Sequence, residues 1–225
     1  MPVISFANPK GGAGKTTCAL LLAGQIAHRG GKVCIIDADP ERWISQWLAS
    51  GTSSSDISVK SVTDPDMIID TIIEASQRFA FVIVDLEGTA SLAVAQAVGL
   101  SNLVLIPLQG ASMDAKGAAK TIRLIESQSK MLGRQLEYRV VLTRTNAALM
   151  TRSLRNVRAQ LDAAGVPVLS TPIVERAAYR DIFDFGLTLT ELDGSATSNH
   201  PQAIQNAEEF LEEVITLLGK SGETE

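Results

Sequence analysis

Residues Asn8-Pro9-Lys10-Gly11-Gly12-Ala13-Gly14-Lys15-Thr16-Thr17 put glycines, lysines and threonines directly after the apolar run Val3 to Ala7. Glycines at 11, 12 and 14 let the backbone turn tightly and aim its N–H groups at an anion. A helix opening just beyond adds the positive end of its dipole. In such a loop Lys15 would bridge the β and γ phosphates of a nucleoside triphosphate. The Thr16 hydroxyl would ligate Mg²⁺, and Gly11, Gly12, Ala13, Gly14 and Thr17 would complete the cradle. Two more segments supply carboxylates. Cys34-Ile35-Ile36-Asp37-Ala38-Asp39-Pro40 ends an apolar run with Asp37 and Asp39, placed to contact metal-bound and attacking water. Asp39 has a second reading, as the acceptor of an Asp-Pro turn that caps a helix beginning near Glu41. Phe81-Val82-Ile83-Val84 likewise delivers Asp85, which can hold Mg²⁺ through water.

These residues need a rim on which to converge. Short apolar runs (Val3 to Ala7, Val33 to Ile36, Phe81 to Val84, Leu103 to Pro107 and Val140 to Leu142) read as buried strands. Amphipathic patterns at Thr17 to His28, Asp66 to Gln77, Ala115 to Met131 and Met150 to Ala164 read as helices between them. The alternation predicts an α/β fold: a doubly wound, mostly parallel sheet with helices on both faces and ligands at the carboxyl ends of the strands. With 225 residues, 45% of them hydrophobic, the chain suits one α/β domain spanning 1–225. Ser50 to Asp56 and Gly194 to Asn199 read as polar loops, and Gly219 to Glu225 as a frayed tail.

The order K-G-G-x-G-K-T-T, with Pro9 where the general phosphate-loop pattern has glycine, resembles the deviant Walker A loop of the ParA/MinD ATPase family. That resemblance implies a P-loop NTPase that binds ATP with Mg²⁺. It also implies an ATP-bound homodimer, because the extra lysine, here Lys10, reaches into the partner's site in that family. By the same resemblance Asp37 contacts Mg²⁺ through water, Asp39 orients the hydrolytic water, and Asp85 is the Walker B carboxylate. Leu86-Glu87-Gly88 falls at the family's second switch, where the Gly88 N–H would sense the γ-phosphate. Pro107 to Asp114 resembles a strand-end segment near the family's dimer interface; Asp114 reads equally as a helix N-terminal charge. Thr143 and Arg144, at another strand end, and Pro172, opening a P-x-x-x-R-x-x-Y segment, are candidates for adenine contact. Tyr179 in that segment reads at least as well as a packing residue.

A formal net charge of −5 argues against wholesale wrapping of nucleic acid, so any DNA contact must be local. Arg152, Arg155 and Arg158 recur every three residues on a predicted helix and could grip phosphates without sequence preference, with Lys120, Arg123, Lys130 and Arg134 nearby. A solvated helix face explains the same pattern, and no helix-turn-helix segment precedes the phosphate loop. Trp43 and Trp47 share a helix face and read as a satellite core. His28 and His200 read as surface residues, and Cys18 and Cys34 as buried thiols of a reducing cytoplasm. The acidic amphipathic pattern around Glu208 to Ile215 reads as a packed terminal helix rather than a membrane anchor. The resemblance implies a compact, nucleoid-associated partition ATPase: the ATP dimer holds nonspecific DNA, and a ParB-like or cargo-adaptor protein stimulates hydrolysis. Its cargo could be a plasmid, a chromosome, a protein cluster, or the machinery of conjugative transfer or cellulose secretion. Rival readings are a metabolic P-loop enzyme resembling dethiobiotin synthetase or cobyrinic acid amidase, and a noncatalytic binding module.

Overall fold

Strands that are apolar on both sides must lie inside a sheet covered on both faces. In the computed structural model, which describes residues 1–51, 56–89, 91–110, 112–146 and 151–221 apart from the side chains of 112–114 and 221, this is where they lie. Among the described residues seven strands form one parallel sheet: β1 (Val3–Phe6), β2 (Val33–Ala38), β3 (Ile57–Ser61), β4 (Phe81–Leu86), β5 (Leu103–Leu108), β6 (Glu137–Thr145) and β7 (Ile173–Val174). Their spatial order is β3-β2-β4-β1-β5-β6-β7. The chain therefore leaves β1 toward one edge, returns through β4, and continues to the other edge through β5. The carboxyl end of β1 lies at this reversal, where a parallel sheet opens a crevice for ligand.

Alternate strand residues feed two cores. Ile4, Phe6, Ile35, Ile83 and Leu105 pack beneath α1 (Lys15–His28), α2 (Trp43–Ser50), α7 (Ala178–Phe185) and α8 (His200–Ser221). Val3, Ile36, Val82, Val84 and Ile106 pack against α3 (Ile68–Arg78), α4 (Leu92–Leu100), α5 (Ser112–Leu132) and α6 (Arg152–Ala163). Helix α8 buries Ala203, Ala207, Phe210, Leu211 and Val214, in keeping with a packed terminal helix. No helix among the described residues is long and apolar enough to cross a membrane.

Several expectations are corrected. Both β3 and β7 lie at the sheet's edges, where half-buried positions and short length leave no apolar run to read. Helix α4 is apolar nearly throughout and so lacks an amphipathic rhythm; its start is marked by the Ser91 side chain, which accepts the Val94 N–H at 3.3 Å. His200 is buried, with Nε2 2.7 Å from the Leu189 carbonyl oxygen, while His28 is exposed as expected. The two tryptophans part company: Trp47 is 3% exposed and Trp43 51%. Trp47 alone is core, and its Nε1–H donates to the carbonyls of Ile182 (2.9 Å) and Leu187 (3.2 Å), tying α2 to α7. Thr52 to Ser55 of the polar loop, Met150 and the last four residues lie outside the described residues.

Replacing Trp47 by Phe removes that donor and part of a buried ring, and should cost about 2 kcal/mol in urea unfolding. Trp43→Phe should stay within about 0.5 kcal/mol of wild type. Equal losses at the two positions would contradict this division.

Candidate nucleotide site

The loop between β1 and α1 is braced from outside. Asn8 Nδ2 donates to the Pro107 carbonyl at the end of β5 (2.6 Å), and Asn8 Oδ1 accepts the Lys10 N–H (2.9 Å). Gln109 Nε2 donates to the Gly12 carbonyl (2.6 Å), and the Thr143 hydroxyl to the Ala13 carbonyl (2.7 Å). In a trans peptide the C=O and the following N–H point opposite ways. Pinning the Gly12 and Ala13 carbonyls toward β5 and β6 therefore turns the Ala13 and Gly14 N–H groups to the other side. Gly12 and Gly14 adopt φ of 74° and 103°, the left-handed region that glycine permits. Gly14 is the N-cap of α1, so the loop ends on the positive end of that helix's dipole. Lys15 is only 6% exposed, and Lys10 is half-buried farther out on the loop.

Across the sheet, Asp37 and Asp85 are register partners on β2 and β4, and Asp85 also pairs with Phe6 of β1. Both are fully buried; no hydrogen bond of standard geometry reaches Asp37 Oδ1 or either Asp85 oxygen, although the Thr16 hydroxyl lies near Asp85. Burial pushes the Asp85 pKa up to about 7, opposed by the Thr16 hydroxyl and Lys15 ammonium and reinforced by Asp37 and Asp39. Unpartnered buried carboxylates are costly, and a divalent cation would relieve that cost. Thr16, Asp37 and Asp85 thus fit Mg²⁺. Among the described residues no group of three or more His, Cys, Asp or Glu could hold a metal ion.

Asp39, Glu41, Trp43 and Gly88 line the same cleft as Gly11 to Thr17. Asp39 Oδ1 accepts the Glu41 N–H at 3.0 Å, and the helix begins later, at Trp43 with Arg42 as its N-cap. The Asp39 turn therefore exists without capping α2, and a carboxylate has a second oxygen for water. Gly88 sits against the loop so closely that a Cβ there would lie 3.3 Å from the Pro9 carbonyl oxygen.

Beside the start of α1, a second pocket is lined by Gly14, Thr17, Thr143, Arg144, Ile173 to Arg176 and Tyr179. Thr143 reaches this pocket, but its hydroxyl is spent on Ala13, so its part is mainly that of a brace. Arg144 has φ of 50° where the β6–β7 register shifts; such a bulge re-aims a side chain, here an exposed one at the pocket. Its Nε lies 3.7 Å from Glu175, which also pairs with Arg180. Pro172 does not line the pocket; its carbonyl accepts from Asn206 Nδ2 at 2.8 Å. The Tyr179 hydroxyl meets the Ala203 carbonyl (3.0 Å) and Asn206 Oδ1 (3.1 Å), a packing role in line with its sequence reading. Sequence reasoning gave no role to Asn8 or Gln109. Asn8 and Gln109 carried a signal, as polar residues just past buried strands facing the loop.

Arg152, Arg155 and Arg158 lie on α6 away from its buried residues Leu154, Val157 and Leu161; the first two are exposed and the third half-buried. Arg134 does not extend that row freely, since its Nη2 donates to the Gly99 carbonyl at 2.7 Å. The side chain of Asp114 lies outside those described.

Lys15→Ala should abolish ATP binding with the fold intact. Thr143→Val, which frees the Ala13 carbonyl, should weaken ATP about tenfold, the worth of roughly one hydrogen bond. Calorimetric titration of both variants checks the bracing; unchanged affinity in Thr143→Val would contradict it.

The sequence profile of the VirC1 protein family matches residues 1–221. Protein ParA of Rhizobium radiobacter is 37% identical over 210 residues, covering 93% of this chain and 94% of its own. The maintenance of carboxysome distribution protein A of Halothiobacillus neapolitanus is 30% identical over 218 residues, covering 94% and 95%. An ATP complex of Cyanothece McdA shares the fold, with a TM-score of 0.76 at 17% identity over 95% of this chain and 96% of that one. The chain belongs to the VirC1 family, and it is built as a ParA-like P-loop ATPase.

Proposed function

We propose that this protein binds and hydrolyses ATP with Mg²⁺, dimerises in the ATP-bound state, and uses that cycle to partition or position a cargo. The observation that carries the reading is the meeting, on one rim, of a braced glycine loop bearing Lys10 and Lys15 with the buried, partnerless Oδ1 of Asp37 and the buried Asp85 carboxylate. Lys15 and the loop amides bind the phosphates, and Lys10 neutralises charge in a partner subunit's site. Thr16, Asp37 and Asp85 would hold Mg²⁺, which would neutralise charge on the β and γ phosphates. Asp39 orients the attacking water, and Gly88, already against the loop, reports the γ-phosphate. Arg144 and the Ile173 to Arg176 segment enclose the adenine.

The names of the relatives support partition or positioning as the task, since they include a maintenance of carboxysome distribution protein and the chromosome partitioning protein ParA of Caulobacter vibrioides. The cargo we propose is DNA or a protein assembly carried on it. Arg152, Arg155 and Arg158 would supply nonspecific contact to DNA phosphates, doubled in a dimer. An adaptor protein that stimulates hydrolysis completes the cycle. The Lys10-bearing loop and the D-x-D-P segment favour this over a metabolic P-loop enzyme.

Lys10→Ala should bind nucleotide normally yet remain monomeric with an ATP analogue in light scattering; equal dimerisation and normal turnover would sink the cross-subunit role. Asp39→Ala should keep its ATP affinity while turnover falls about 100-fold, the scale of a lost water-positioning group. Hydrolysis at the wild-type rate would return Asp39 to a turn residue.

For the DNA contact, replacing Arg152, Arg155 and Arg158 together by Ala should weaken ATP-dependent binding to mixed-sequence duplex. The slope of log K against log salt should flatten by about one for each phosphate no longer neutralised, with nucleotide affinity unchanged. Mobility shifts at several salt concentrations decide it: a triple variant identical to wild type would place DNA on another surface. Absence of ATP-dependent binding at low salt would remove DNA as the track.

A further inference from the structure

Asp37 does more than face the phosphates. Its Oδ2 accepts two hydrogen bonds from one residue of α2, the Ser45 N–H (2.8 Å) and the Ser45 hydroxyl (2.6 Å). Ser45 is in the first turn of α2, where backbone N–H groups have no partner inside the helix, and the N-cap residue Arg42 offers no side-chain acceptor. A carboxylate from β2 therefore caps the helix. The helix needs the Ser45 hydroxyl little for its own placement: Ile44 is fully buried, Trp47 is 3% exposed, and the Trp47 indole is tied to α7. What the hydroxyl does fix is the carboxylate. The terminal torsion of Asp is soft, and two donors meeting on one oxygen hold its plane. Oδ1 is then the buried oxygen left without a partner, on the strand position that pairs with Asp85.

We propose that Ser45 is a positioning residue for the metal site, holding Asp37 so that Oδ1 serves a Mg²⁺-bound water and coupling metal binding to the seating of α2. This rests on the ATPase reading given above. An outer residue of this kind sets metal affinity by fixing the orientation of the group nearer the ion, with little effect where no metal is bound.

The test uses the full chain, a fluorescent, non-hydrolysable ATP analogue, and Mg²⁺ titrated from zero, with a parallel arm in EDTA and a thermal melt of each nucleotide-free variant. Ser45→Ala should raise the half-saturating Mg²⁺ about tenfold while affinity in EDTA stays within about twofold of wild type. Ser45→Thr, which keeps both donors, should restore the wild-type Mg²⁺ requirement. A wild-type Mg²⁺ requirement in Ser45→Ala would overturn the proposal, as would equal weakening with and without metal or a Ser45→Thr protein that behaves like the alanine variant. A lowered melting temperature with unchanged Mg²⁺ dependence would leave Ser45 a structural residue only, and also overturns it. Failure of the wild-type chain to bind the analogue at all would instead overturn the ATPase reading, so the two failures are distinguishable.

Discussion

A phosphate loop works only if its amides face inward before the anion arrives, and a flexible glycine turn does not guarantee that. Here the constraint is met by holding the opposite end of each peptide plane. Gln109 and Thr143 take the carbonyls of Gly12 and Ala13, Asn8 ties the loop's entrance to β5, and peptide planarity does the rest. The braces come from the ends of β5 and β6, so the loop's shape depends on the order in which the sheet is assembled. Placing β1 between β4 and β5 puts the carboxylate strands on one side of the loop and the bracing residues toward the other.

The carboxylate side carries the opposite kind of tension. Asp85 and one oxygen of Asp37 are buried with no hydrogen bond of standard geometry, an arrangement that destabilises a core unless a cation answers it. Sheet register places the two side by side, and Asp37 is further engaged by Ser45 at the start of α2. That helix is anchored to α7 through Trp47, and α7 carries Tyr179 at the pocket beside the start of α1. Through Trp47 that short helix connects the carboxylate side of the cleft to the helix bordering the second pocket, with Trp43 exposed on the cleft itself.

Much of this was legible in the chain because it is local. The loop glycines and lysines are contiguous, the buried strands are unbroken apolar runs, and Asp37 and Asp85 end two of them. What was illegible depends on partners far away. The braces join residues separated by 99, 97 and 130 positions, so although Asn8 and Gln109 each follow a buried strand, nothing in their own neighbourhood names the carbonyls they hold. Edge strands β3 and β7 lack the double-sided burial that makes a strand readable. Trp43 and Trp47 have the helical spacing of a shared apolar face, yet α2 begins at Trp43 and leaves it at the cleft. His200 looked like a surface residue before a proline; the turn at Leu189 supplies the carbonyl that lets it be buried.

The most direct test of the preformed loop is a crystal structure of the chain with a non-hydrolysable ATP analogue and Mg²⁺. The β and γ phosphates should lie against residues 11 to 16 with the Gln109–Gly12 and Thr143–Ala13 hydrogen bonds intact, and the ion should sit between Thr16 and the Asp37–Asp85 pair. A nucleotide bound elsewhere, or phosphates admitted only after those two bonds have broken, would contradict it.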